Sequence, residues 1–147
     1  MSVHLLDANV LIALAWPQHV HHAAAHKWFG SVGHRGWATC PLTQAAFIRI
    51  SSNPKIIDES VTPREAVEVL KEMVILPGHS FWHDDISPVD APIFSSPSFV
   101  GHRQVTDAYL LGLAQHRQEK LATFDKGIAD LIPMPKDRPR YVTVIEA

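Results

Sequence analysis

A chain of 147 residues has room for one domain with its own core, held without disulfides or structural metals. With 46 % hydrophobic and 19 % charged residues it matches soluble globular proteins rather than disordered or fibrous ones. A formal net charge of −2 excludes a global pull toward nucleic acid, so any phosphates would need local basic residues or bound metal to neutralise them.

The single cysteine, Cys40, rules out an internal disulfide, suits a reducing compartment and is expected to act as a small buried hydrophobe. The apolar stretch from Val10 to Trp16 is too short to span a bilayer. The N-terminus lacks the basic region of a signal peptide, and Asp7 and Asn9 interrupt its apolar run. The expected location is the cytoplasm, with no membrane attachment.

Val3 to Leu6 reads as a buried first strand ending on Asp7. Asn9 occupies a helix-cap position before a short helix through Ala15, which Pro17 ends. A second helix is expected over Val20 to Phe29, with Ala24 and Trp28 on its inner side. Gly33 and Gly36 precede a second strand, Trp37 to Cys40, and Pro41 with Thr43 introduces a helix through Phe47 and Ile50. Thr62-Pro63 starts the next helix, whose apolar residues Ala66, Val67, Leu70, Met73 and Val74 recur at helical spacing until Pro77-Gly78. A third strand is expected at Ser80 to His83. Pro88, Pro92 and Pro97 mark an irregular, mobile connection. Thr106 is expected to cap a helix from Asp107 to His116 with Ala108 and Leu111 inside. Leu121 to Phe124 reads as a strand ending on Asp125, Ile128 to Leu131 as a short helix, and Tyr141 to Ile145 as the last strand. Short apolar strands alternating with helices specify an α/β domain with a mostly parallel sheet.

Asp7 and Asp125 each follow an apolar strand, and a parallel sheet sets such residues at its carboxyl edge, where ligands bind. Asp107, at a helix start, can face the same edge. Three converging carboxylates repel one another, and a hard divalent cation bound through oxygen relieves that repulsion. Singly, each has a simpler reading: Asp7 as a cap for the helix that follows, Asp107 as a favourable charge at a helix start, Asp125 as a turn residue.

Four segments extend this pattern: Leu5-Leu6-Asp7-Ala8-Asn9-Val10-Leu11, Pro41-Leu42-Thr43, Arg103-Gln104-Val105-Thr106-Asp107-Ala108-Tyr109-Leu110 and Ala122-Thr123-Phe124-Asp125. In order and spacing they resemble the motifs of PIN-domain ribonucleases, in particular the VapC-type toxins of bacterial toxin–antitoxin modules. The resemblance implies a single PIN-like domain over residues 1–147, a three-layer α/β/α sandwich. It also implies an endoribonuclease dependent on Mg²⁺ or Mn²⁺, with RNA as substrate, usually homodimeric and silenced by a cognate antitoxin protein. By the same pattern Asp7, Asp107 and Asp125 are the catalytic, metal-binding acids, and Asn9 and Thr123 support them. One position departs: where the family carries a glutamate after the threonine of Pro41-Leu42-Thr43, this chain has Gln44. Its amide can still ligate or accept a hydrogen bond but brings no charge, so either the site binds metal more weakly or Asp84 or Asp85 compensates. Gln44 is placed in or beside the site, with a surface glutamine of no role as the alternative.

His22 and His26, four apart, share a helical face, but no cysteine or third spaced histidine completes a zinc site. A solvated or packed face is the simpler reading, with His19, His21, His22 and His26 as an alternative lining for an RNA path. Arg103 is a candidate for phosphate contact, Arg49 for phosphate or antitoxin. Trp28, Trp37 and Trp82 read as core or interface. Two alternatives stand beside the nuclease: a binding module inactivated by Gln44, and an aspartate-based phosphotransfer domain. Asn9, where a dehalogenase-type site needs a second aspartate, weighs against the latter.

Overall fold

The computed structural model describes residues 2–147. Its centre is a five-stranded parallel sheet of short strands: β1 (His4–Leu6), β2 (Trp37–Thr39), β3 (His79–Phe81), β4 (Lys120–Thr123) and β5 (Val142–Val144). Their order across the sheet is β3-β2-β1-β4-β5, and every neighbouring pair is parallel. The winding therefore reverses between β1 and β4. In open α/β sheets that reversal leaves a crevice at the carboxyl ends of the two strands.

Side chains alternate strictly between two faces, as a sheet covered on both sides requires. Leu5, Ala38 and Leu121 pack with α5 (Val105–His116), whereas Leu6, Trp37 and Ala122 pack into a second core. That second core is built by α1 (Ala8–Ala15), α2 (His22–Ser31), α3 (Pro41–Ser51) and α4 (Pro63–Val74). The short α6 (Arg138–Tyr141) leads into β5. These are the three α/β/α layers expected from the sequence. Cys40 is fully buried, as are Trp37 and, nearly, Trp82; Trp28 is half-buried.

Local chemistry explains most element boundaries. At α4, Thr62 and Glu65 form a reciprocal cap: the Glu65 amide donates to Thr62 Oγ1 and the Thr62 amide to Glu65 Oε1, both at 3.2 Å. Gly78 holds a positive φ of 90° in the turn before β3, where a Cβ would stand 2.5 Å from the His34 carbonyl oxygen. Other boundaries differ from expectation. Of the two residues expected as caps of α1, Asp7 rather than Asn9 holds the position, and Asn9 is exposed inside the first turn. The helix α2 begins at His22 and turns Ala25 inward, and β3 runs one residue earlier than Ser80. Gln104 rather than Thr106 precedes α5. Its Oε1 accepts the amides of Val100 and Gly101 at 2.7 and 2.9 Å, and its Nε2 donates to the Ser98 carbonyl. The Pro-rich connection is irregular, but it is packed: Ala91 and Ile93 are buried against α5, and Phe94 meets Phe99 edge to face.

Candidate active site at the sheet reversal

At the reversal the Asp7 amide donates to the Ala122 carbonyl at 3.0 Å, locking the end of β1 to β4. Thr123, fully buried, links two of the three aspartates: its hydroxyl donates to Asp7 Oδ2 at 2.8 Å and accepts the Asp125 amide at 3.0 Å. Asp125 is exposed, and one of its oxygens accepts the Gly127 amide at 2.8 Å, so it also caps the 3-10 turn Lys126–Leu131. Asp107 enters from the first turn of α5, half-buried.

The electrostatics show that the three carboxylates share one place. Burial pushes Asp107 up to about 6, and the charges of Asp7 and Asp125 add to the shift. Asp7 is also raised, chiefly by burial; the Thr123 hydroxyl and the amides of Ala8 and Asn9 pull the other way, and Asp125 pushes it further up. Concentrated negative charge against low-dielectric walls attracts a cation, and the donors here are all hard oxygens. Among the described residues, no three of His, Cys, Asp and Glu stand close enough to enclose an ion directly. A cation held there would take one or two of the carboxylates directly and reach the others through its waters. The donor set fits the cation the sequence implies.

Gln44 sits in the first turn of α3, half-buried, at the carboxyl end of the neighbouring strand β2. Its Nε2 donates to Thr39 Oγ1 at 3.0 Å, and that oxygen also bonds His79 Nε2 at 2.8 Å. Asp84 and Asp85 take other partners: Tyr109 donates its hydroxyl to Asp84 at 2.6 Å, and Arg117 pairs with Asp85 at 2.7 Å. The charges that raise Asp107 are those of Asp7 and Asp125, whereas Asp84 acts on the Cys40 thiol at the start of α3. Arg103 is exposed one turn ahead of α5, and Arg49 is exposed in the last turn of α3. A cleft of about 810 Å³ lies apart from the aspartates, between α5 and the segment from Asp84 to Pro92.

Sequence reasoning missed the Thr39–Gln44–His79 chain, since its members are separated by up to 40 residues. It also left His22 and His26 undecided. Their rings contact the carbonyls of Ala13 and Leu14 at 2.7 and 2.8 Å, closing the last turn of α1. That contact takes one nitrogen of each and favours the packed-face reading over a metal pair.

The PIN domain model matches residues 4–132. The chain is similar to Ribonuclease VapC38 of Mycobacterium tuberculosis, 45 % identical over 142 residues, covering 96 % of this chain and 99 % of that relative. It is also similar to Ribonuclease VapC39 of the same species, at 47 % over 86 % of this chain and 91 % of the relative. Ribonuclease VapC29 follows at 41 %, over 86 % and 89 %.

Proposed function

The chain belongs to the PIN-domain family, and from that premise we propose that it is a VapC-type endoribonuclease, the toxin of a toxin–antitoxin pair. The observation that carries this reading is the convergence of Asp7, Asp107 and Asp125 at the sheet reversal, each carried by a different element. The same reading takes Mg²⁺ or Mn²⁺ as cofactor, RNA as substrate and a cognate antitoxin as partner. It further takes one domain over the whole chain, a homodimer and a cytoplasmic location. Among the described residues no helix is long and apolar enough to cross a membrane.

Asp7, Asp107 and Asp125 would hold the ion, one or two directly and the rest through its waters, and when bound it would polarise the phosphodiester and make water a better nucleophile. Burial and the charges of Asp7 and Asp125 push Asp107 up to about 6 in the absence of the ion, and a bound cation would draw it back down and keep it ionised. Thr123 fixes Asp7 and the backbone of Asp125 in register through its two hydrogen bonds. Asn9, exposed beside Asp7, serves as a polar neighbour, and Arg103 as a phosphate contact at the mouth of the edge.

A binding-only reading rests on Gln44, which brings no fourth charge and is held by Thr39. One assay separates the two. Purified protein with Mn²⁺ should cut single-stranded RNA, and EDTA should stop the reaction. Asp107→Asn is the matched control, and Asp7→Asn or Asp125→Asn should slow cleavage by roughly a hundredfold or more, as for loss of a strong electrostatic stabiliser. Equal rates in wild type and variants would assign the activity to a contaminant and end the nuclease reading.

A further inference from the structure

An acidic site on a chain of net charge −2 repels the backbone it must hold. The bound ion and Arg103 offset this only locally, and stacking of bases on aromatic rings is a further source of affinity for single strands. The carboxyl edge carries one such surface. Phe124 lies between Thr123 and Asp125 and turns to the face that bears α1 and α2. The ring of His21 stacks on it, with centroids 4.7 Å apart and planes 25° from parallel.

The segment between α1 and α2 is built to hold that ring. The His21 amide donates to His19 Nδ1 at 3.0 Å, and His22 is tied to the Ala13 carbonyl. The helix α2 then descends the sheet, bringing Trp28 against His4 at the opposite end of β1, ring centroids 5.1 Å apart. His21 therefore stands at the same edge as the aspartates. It is half-buried, and among the described residues its ring nitrogens make no hydrogen bond, unlike those of His22 and His26. One residue of chain, a rise of about 3.3 Å in extended form, separates Phe124 from Asp125.

We propose that the His21–Phe124 stack is a nucleobase platform: a base of single-stranded RNA flanking the scissile phosphate lies on the His21 imidazole while that phosphate faces the aspartates. The proposal rests on the ribonuclease reading and adds a residue that sets substrate affinity. His21 touches substrate through its ring face, so an aromatic ring of another kind can replace it.

Binding can be measured apart from cleavage, with fluorescein-labelled single-stranded RNA followed by anisotropy on protein carrying Asp107→Asn. In that background His21→Ala should weaken binding about tenfold, a typical loss for one stacked base. His21→Tyr should restore most of it, and His21→Gln should not. His116→Ala, at the far end of α5, should leave binding unchanged. In the cleaving protein, KM should follow the same order. Equal affinity of His21→Ala and wild type, rescue by Gln as well as by Tyr, or no measurable affinity of the parent protein for RNA would each overturn the platform. Failure of wild type to cleave RNA that it binds through His21 would overturn the nuclease reading alone.

Discussion

Gln44 is where a single side chain tests the site most directly. Its amide donates to Thr39 Oγ1, whose other contact is His79 Nε2. A glutamate at this position has no N–H to donate, so the Thr39 hydroxyl must turn toward it and His79 must become the donor in the remaining bond. If position 44 faces the ion, the new charge joins the carboxylates of Asp7, Asp107 and Asp125. At an effective dielectric near 20, Coulomb attraction between that charge and a divalent ion a few ångströms away is several kcal/mol, before desolvation and like-charge repulsion. The net gain expected for Gln44→Glu is ~1–2 kcal/mol, about tenfold in Mn²⁺ affinity. Calorimetric titration of both proteins at one pH and salt concentration reads it. Unchanged affinity would mean that Thr39 and His79 keep position 44 away from the ion. The three aspartates were legible in the sequence because each stands at a strand end or helix start, where residue type and position agree. The Thr39–Gln44–His79 chain was not, because it depends on β2 and β3 being neighbours, and three-residue strands carry no pairing signal.

Among the elements, α5 shows what periodicity does and does not convey. Its inner residues Ala108 and Leu111 follow from spacing, yet the helix is buried continuously from Leu110 to Ala114. The reason is Gly112, over which the Pro-rich connection passes: a Cβ there would meet Ile93 Cγ2 at 2.9 Å and Ile86 Cδ1 at 3.1 Å. A mid-helix glycine costs about 1 kcal/mol in propensity, so its place here is best explained by close approach. Gly112→Val should overpack the contact and lower stability by about 1–3 kcal/mol, read as a lower urea midpoint with unchanged slope. A neutral or stabilised variant would show that Ile86 and Ile93 simply move aside. The five strands and α1 to α5 could be read from the chain, because apolar runs and caps are local; α6 was not expected, and it takes Tyr141 from the start of the last strand. Strand order could not, and boundaries moved wherever an unexpected side chain closed the turn, as Gln104 does ahead of α5.

On the scale of the whole molecule, two sets of buried groups set the pH response and oppose each other. Asp107 and Asp7 are raised by burial, so the folded chain takes up protons more readily than the unfolded one. For Asp107 this adds stability as pH falls through about 6 toward the ordinary 3.8. His4, His19 and His79 are lowered, each chiefly by burial, and so have the opposite sign. His4 is the deepest of them, packed edge to face on Trp28, with Nε2 against Thr143 Oγ1 at 3.2 Å and a buried Nδ1 that has no partner among the described residues. Lys120 beside it lowers it further, and Glu119 partly offsets that. Below its ordinary 6.5 the unfolded chain binds a proton that the folded chain refuses, so stability is lost as pH falls from 6.5 toward the depressed folded value. Because the aspartates mask this in the total, the measurement is a difference. His4→Phe keeps an aromatic ring against Trp28 and removes the titration. Urea unfolding of both proteins from about pH 7.5 to 5 should show the variant gaining on wild type as pH falls below 6.5. Parallel curves would mean that folded His4 accepts its proton after all, with Glu119 as the counter-charge.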